Sequence, residues 1–412
     1  MTLQGIFALF GALTAMEPAH YRELRKILMS SLDERGELSD EEIRSIIDDL
    51  VLGFSHENYL TVSERNTLSR ELFSSVRKLD ILQELIDDKD VTEIMVNGPE
   101  RIYVEKNGQM RLWERTFSSR EKLEDVVQQI VGNCNRVVNE RKPIVDARLS
   151  NGARVNAVIS PIALDGPILT IRRFPDTPIT MEKLIAIGSI SEEASHFLQK
   201  LVEAGYSIII SGGTSAGKTT FLNALSNYIP KNERIITIED NAELQIQGID
   251  NLVRLEAKSA NMEGNENITI RDLIKSSLRM RPDRVIVGEV RGGEAVDMLQ
   301  AFNTGHDGSL CTIHANSAAD SLSRLETMVL MAFALPLPAI RRQIASGVDI
   351  LVHLGRLRDR SRRVLEIAEI DGYENENILL HPLYEWDGGR KSLVKMGELK
   401  HTGKLERTGV VI

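Results

Sequence analysis

Apolar residues along the chain first recur at helical spacing, then in short strand-like runs, and finally in near-continuous runs set between helical segments. From Pro18 to about Asp88 two capping-box signatures, Ser39-x-x-Glu42 and Thr61-x-x-Glu64, precede Leu68, Leu72, Val76 and Leu79 at helical intervals. This predicts an N-terminal helical region, a small bundle, over residues 1–88. The period then changes. Residues 94–96, 102–104 and 110–113 are short apolar runs broken by Asn97-Gly98-Pro99 and Asn107-Gly108, which reads as a β-meander. A helix opened by Ser118-x-x-Glu121, with Leu123, Val126, Val127 and Ile130 on one face, leads to strands over 154–159 and 168–174 that turn at Asn151-Gly152. Residues 89–174 are therefore expected to form an α+β domain. Pro175 and Pro178 mark a linker at 175–179, since proline restricts itself and its predecessor.

From residue 180 to 412 helical segments alternate with β-branched runs at 206–210, 234–238, 252–255, 284–287, 310–313 and 349–354. Runs of this kind suit a parallel sheet buried on both faces, so the fold class is α/β for this larger part. A polar Gly/Asn-rich loop spans 258–267, and beyond 334–338 the tail returns to strands and turns around Trp386 and Gly388-Gly389. The apolar segment 3–16 lacks a positive flank and is shorter than a membrane-spanning helix, so it reads as a packing segment, and no other stretch reads as a transmembrane segment.

Length and charge narrow the function classes. The chain has 412 residues, 42% hydrophobic and 27% charged, with a formal net charge of −10. That composition excludes wholesale disorder, and the acidic balance argues against a general nucleic-acid binder, so no nucleic-acid partner is expected. The two cysteines, Cys134 and Cys311, are far apart, which excludes a disulfide scaffold or a four-cysteine zinc module and points to a cytoplasmic compartment.

The chemistry concentrates after residue 210. Gly212, Gly213, Thr214, Ser215, Ala216, Gly217, Lys218 and Thr219 satisfy G-x-x-x-x-G-K-[ST], with Thr220 next in line. The loop lies between an expected strand and an expected helix, so backbone N–H groups and the positive helix end can face phosphates. Lys218 would bridge the β- and γ-phosphates, and the Thr219 hydroxyl would ligate Mg²⁺. The apolar run 284–287 ends at Gly288-Glu289, and 234–238 ends at Glu239-Asp240 with Glu243 one turn on. Two acids at the tips of parallel strands allow one to organise Mg²⁺ and the other to orient or deprotonate water. His314 follows a predicted strand tip. Spacing alone leaves open whether it is structural or senses a γ-phosphate.

These segments carry a resemblance. SGGTSAGKTTFLNAL (211–225), ITIEDNAELQI (236–246) and LRMRPDRVIVGEVRGGEAVDMLQAFNTGHDGSLCTIHANS (278–317) resemble the Walker A, Asp box, Walker B and His box of the type II/type IV secretion superfamily ATPases. The resemblance is closest to the tight-adherence (Tad) pilus assembly branch. It implies a RecA-like P-loop motor preceded by a PAS-like domain, working with ATP and Mg²⁺ as a homohexamer. The motor would act against inner-membrane platform proteins of a pilus or secretion system, as a cytoplasmic protein peripheral to the inner membrane. By the same resemblance Glu239 is the general base, Glu289 supports Mg²⁺ and His314 is the γ-phosphate sensor. Arginines of the preceding domain, Arg148, Arg154, Arg172 and Arg173, would reach the nucleotide. The missing cysteine module sets the chain apart from type II secretion and pilus-extension ATPases, and the N-terminal helices set it apart from the compact conjugation-type ATPases. Two alternatives stay open: a RecA-like nucleic-acid motor, and a type IV secretion ATPase of another branch. A dense basic run, Arg356, Arg358, Arg360, Arg362 and Arg363, is expected at a hairpin tip, solvated or touching a neighbouring subunit or membrane partner.

Overall fold

The structure is a computed structural model that describes residues 39–77, 79–106, 108–149, 151–173, 178–258 and 267–412, with positions 21, 23, 24, 27, 28, 31 and 32. The expected apolar segment at 3–16, Asn107, the linker proline Pro175 and most of the 258–267 loop lie outside the described residues. The chain forms two compact units, Met1–Pro175 and Asp176–Ile412.

In the first unit, both expected capping boxes form. Ser39 N donates to Glu42 Oε2 at 2.7 Å while Glu42 N donates to Ser39 Oγ at 3.3 Å. Thr61 and Glu64 repeat the exchange at 2.7 and 3.2 Å. These caps satisfy N–H groups that have no partner within a helix, and they start the helices Asp40–Glu57 and Val62–Arg77. Ile43, Ile47, Val51, Leu68 and Leu72 bury together with Leu24 and Leu28. Leu79, expected on the same stripe, lies beyond the helix end at Arg77 and packs in the neighbouring core with Leu82 and Leu85.

That neighbouring core sits under a six-stranded sheet of β1 (Val91–Asn97), β2 (Ile102–Lys106), β3 (Gln109–Leu112), β4 (Ile144–Arg148), β5 (Arg154–Val158) and β6 (Ile168–Arg172). The order is β3-β2-β1-β6-β5-β4, antiparallel throughout. Helix Arg120–Asn133 covers one face with Leu123, Val126, Val127, Ile130 and Val131. β4, an edge strand that buries only Val145 fully, is not expected from the sequence pattern.

The second unit is built on a nine-stranded sheet. Its strands are β7 (Ile208–Gly212), β8 (Ile235–Glu239), β9 (Leu252–Glu256), β10 (Arg284–Val290), β11 (Leu310–Ile313), β12 (Ile350–Arg356), β13 (Arg362–Glu374), β14 (Asn377–Asp387) and β15 (Ser392–Lys395). The order is β15-β14-β13-β12-β7-β11-β10-β8-β9. The six strands from β12 to β9 run parallel, and β13 to β15 add an antiparallel extension. Successive side chains divide between two cores. Ile208 and Ile210 face the layer of helices Glu192–Glu203 and Lys218–Ser226. Ile209 faces the layer of helices Ala295–Asn303, Ala318–Ala332 and Leu337–Gly347. Burial on both faces is why these strands read as continuous apolar runs.

The end of the sheet remote from the P-loop is fastened by charge. Arg284 opens β10 and is 2% exposed. Its Nε and Nη2 donate to Glu233 at 2.5 and 2.8 Å, and Nη1 donates to Val202 O at 2.6 Å. Losing one partner of a buried pair strands the other charge, so Arg284→Ala should destabilise the protein by about 3–5 kcal/mol. Denaturation in urea measures this, and a loss within about 1 kcal/mol would mean the pair is not holding the strand.

Candidate functional site

The P-loop leaves β7 at Gly212 and enters helix Lys218–Ser226 through Gly217, whose φ of 94° is left-handed. A side chain at Gly212 would strike Leu354 O on β12 at 2.5 Å, and a Cβ at Gly213 would meet nothing within 4 Å. One glycine therefore permits close strand packing, while the other keeps the backbone open to a ligand. Lys218 is 7% exposed. Its Nζ donates to Gly212 O and Gly213 O at 3.1 Å each, so the ammonium is held inside the loop by the loop's own carbonyls. Burial pushes its pKa down, and Glu289 opposes that shift.

Strand order decides what faces the loop. β11 lies between β7 and β10, and β8 lies on the far side of β10. Just beyond the tip of β11, His314 stands with Nδ1 and Nε2 at 3.3 and 3.4 Å from Lys218 Nζ. Its Nε2 is also 2.6 Å from Glu289 Oε1, a close contact that is not aligned as a hydrogen bond. Burial and the Lys218 charge hold the imidazole below its usual pKa, favouring the neutral ring.

The two acids differ. Glu289 is neutralised by Arg291, whose Nη2 donates to Oε2 at 2.6 Å and whose Nη1 lies 3.4 Å from Asp240 Oδ2. Glu239 is 3% exposed. Its Oε1 accepts from Glu243 N at 2.9 Å and Leu244 N at 3.0 Å, while buried Oε2 has no hydrogen-bond partner. Desolvation raises its pKa to about 7 despite those two donors. A carboxylate with one oxygen pinned and the other unsatisfied is arranged to accept a proton near neutrality.

Residues 76–383 of the chain match the family described as Type II/IV secretion system protein. A putative conjugal transfer protein of Mycobacterium tuberculosis is 34% identical over 305 residues, 73% of this chain and 86% of that protein. Conjugal transfer protein TrbB of Rhizobium radiobacter is 32% identical over 311 residues, 73% of this chain and 92% of that protein. The chain belongs to the type II/IV secretion system family. In fold it is similar to the crystal structure of the pilus retraction motor PilT with bound ADP, at 19% identity and a TM-score of 0.51, covering 80% of this chain and 86% of that one. The expected RecA-like α/β architecture is therefore present.

In this secretion-family chain the first unit gathers three of the four expected arginines. Across the sheet Glu93 pairs with Arg172, Arg172 with Arg154, and Arg154 with Arg148. Directly opposed residues share a face, so the three form a row on the side away from the core, where Val155 and Ile171 point inward. Arg173 is turned elsewhere: its Nη1 donates to Asp88 O and its backbone N to Thr92 O at 2.9 Å. That side chain fastens the strand end.

Several residues at this sheet edge escape sequence reasoning. A Cβ at Gly288 would stand 2.8 Å from Glu239 Cγ, and Gly288 O accepts from Thr312 Oγ1 at 2.6 Å. Glu294 Oε1 accepts from Arg291 N and Gly292 N at 2.7 and 2.9 Å, fixing the turn that aims Arg291. These relations join neighbouring strands or fold a loop back on itself, and only the GEVRGGE string hints at them. Gly288→Ala should displace Glu239, lowering turnover by at least about 10-fold and stability by about 1–3 kcal/mol through overpacking. Equal activity in the variant would show that the Glu239 position is not critical.

Glu239 also makes a pH prediction. Its folded-state pKa of about 7 lies above the ordinary 4.5, so the folded state holds the proton longer and stability falls as pH rises from 4.5 to 7. Glu239→Gln should gain stability over the parent by up to about 3 kcal/mol between about pH 5 and pH 8. Urea denaturation at both pH values measures it, and a pH-independent difference would mean that Glu239 is ionised throughout.

Proposed function

We propose that the chain is a Mg²⁺-dependent ATPase that works as a homohexameric ring to drive Tad-type pilus assembly or protein secretion at the inner membrane. The observation that carries this reading is the convergence of Lys218, Glu239, Glu289 and His314 at one edge of the parallel sheet, on strand tips and on the helix that the P-loop opens. The residues fit a nucleotide and its metal. Lys218 is held by backbone carbonyls, Gly213 leaves room for a ligand, and Thr219 and Glu289 supply the hard oxygen ligands that Mg²⁺ takes along with phosphate. When bound, the metal neutralises charge on the phosphates. Gly212 to Thr220 cradle the phosphates, and Lys218 spans the β- and γ-phosphates. Glu239 takes the proton of the attacking water through Oε2, and neutral His314 donates a hydrogen bond that reports the γ-phosphate.

Arg148, Arg154 and Arg172 bring positive charge that offsets the charge developing on the transferred phosphoryl group. Arg173 acts as their structural anchor. Among the described residues no helix is long and apolar enough to cross a membrane, which is compatible with a motor that docks on inner-membrane platform proteins from the cytoplasmic side. The N-terminal helices and the lack of a four-cysteine module favour the Tad branch.

Lys218→Ala should abolish nucleotide binding. Glu239→Gln should keep binding and lower kcat by about 10²–10⁴-fold, and Glu289→Gln should bind nucleotide with turnover lost. Added DNA should leave the rate unchanged. Wild-type rates in all three variants would remove the assignment, and strong DNA stimulation would replace it with a nucleic-acid motor.

A further inference from the structure

The basic run on the β12–β13 hairpin does not act as one patch. Arg363 is committed to structure: its Nη1 donates to Gly188 O and its guanidinium lies 5.2 Å from the Trp386 ring centroid. Arg358 and Arg360 sit at the tip, where Asp359 Oδ1 accepts from Ser361 N at 2.9 Å to close the turn. Arg356 and Arg362 are different. They are directly opposed in the antiparallel pair, Arg356↔Arg362, immediately beyond Leu354↔Val364. Leu354 and Val364 belong to the core on the side of helix Lys218–Ser226, and strand alternation carries Arg356 and Arg362 to that same side.

The hairpin also runs alongside the P-loop. β12 is parallel to β7 with Leu354 opposite Gly212, so Arg356 projects two residues past the strand end where the loop begins. A Cβ at Gly217 would stand 3.5 Å from Arg362 Cδ. The hairpin base is fixed, with Ser189 Oγ donating to Arg362 O at 2.8 Å and Val364 N to Ser189 O at 2.8 Å. Two like charges facing each other across a strand pair disfavour the pairing, and among the described residues neither has an acidic partner within salt-bridge distance.

Topology says which part of a nucleotide would neutralise them. The acids Glu289 and Glu239 end β10 and β8, on one side of β7, so the reacting γ-phosphate must face that way. The rest of the molecule then runs toward the other neighbour of β7, which is β12 and its hairpin. We propose that Arg356 and Arg362 hold the α-phosphate and sugar end of the nucleotide, from the same chain as the P-loop. The proposal rests on the nucleotide reading of the P-loop and adds a grip to it. Guanidinium forks suit this work because they bind phosphate oxygens in pairs and stay charged at every relevant pH.

Calorimetric titration of ADP into the full chain tests it. Arg356→Ala with Arg362→Ala should bind ADP about 10- to 100-fold more weakly, the loss of one or two charge-assisted hydrogen bonds. Arg358→Ala with Arg360→Ala removes the same charge from the tip and should stay within about 2-fold of the parent. Without nucleotide, the first double variant should melt at or above the parent temperature, because a repulsion has gone. If it fails to fold, Arg356→Gln with Arg362→Gln keeps most of the side-chain length and serves in its place. ADP affinity within about 2-fold of the parent in the Arg356/Arg362 variant, or equal losses in both double variants, would overturn the proposal. A parent that does not bind ADP, or Lys218→Ala binding as well as the parent, would instead overturn the nucleotide reading itself.

Discussion

One strand placed between two others sets the geometry of this site. β11 separates the P-loop strand β7 from the acid-bearing β10. With neighbouring strands about 4.8 Å apart, the loop and the acid are held roughly 10 Å from each other. Across that gap Lys218 turns to Gly212 O and Gly213 O, and Glu289 turns to Arg291. His314, delivered by the intervening strand, stands between them and touches both.

Desolvation then acts in one sense on three of these groups. It pushes Lys218 and His314 down and Glu239 up, so burial moves each of them toward its neutral form. Glu289 keeps its charge company through Arg291, which also reaches Asp240. The edge of the sheet is thus a set of charges balanced against one another and against burial. An incoming polyanion would change that balance, favouring the charged forms of Lys218 and His314.

Much of this was legible in the sequence, and the rest was not for a common reason. The parallel strands, the P-loop and the acids at strand ends announce themselves by continuous apolar runs and by a spacing that serves phosphates. Neighbour relations do not, because strand order is set by crossover connections: β7 and β11 are adjacent in space yet separated by about a hundred residues. The need for glycine at 288 is visible only once β8 lies beside β10 and Glu239 fills the space a methyl would take. Arg172 and Arg173 are indistinguishable as a pair of letters, but strand alternation sends one to the arginine row and the other to Asp88. The edge strand β4 left no recognisable run, since its apolar pair Ile144 and Val145 is followed at once by Asp146.

The arginines expose a further regularity. In a chain with net charge −10, cross-strand arginine pairs occur in both units: Arg148 opposite Arg154 and Arg154 opposite Arg172 in the first, Arg356 opposite Arg362 in the second. Such pairs work against the sheets that carry them, and they persist because the surrounding register is over-determined. Leu354 and Val364 are fully packed just below the second pair, and Ala147, Val155 and Ile171 pack beside the first row. Each pair sits inside a well-specified frame of packed apolar neighbours. In the second unit the frame is the same sheet that aims Lys218 and Glu289, so an anion bound at the P-loop would satisfy the repulsive pair and the lysine together.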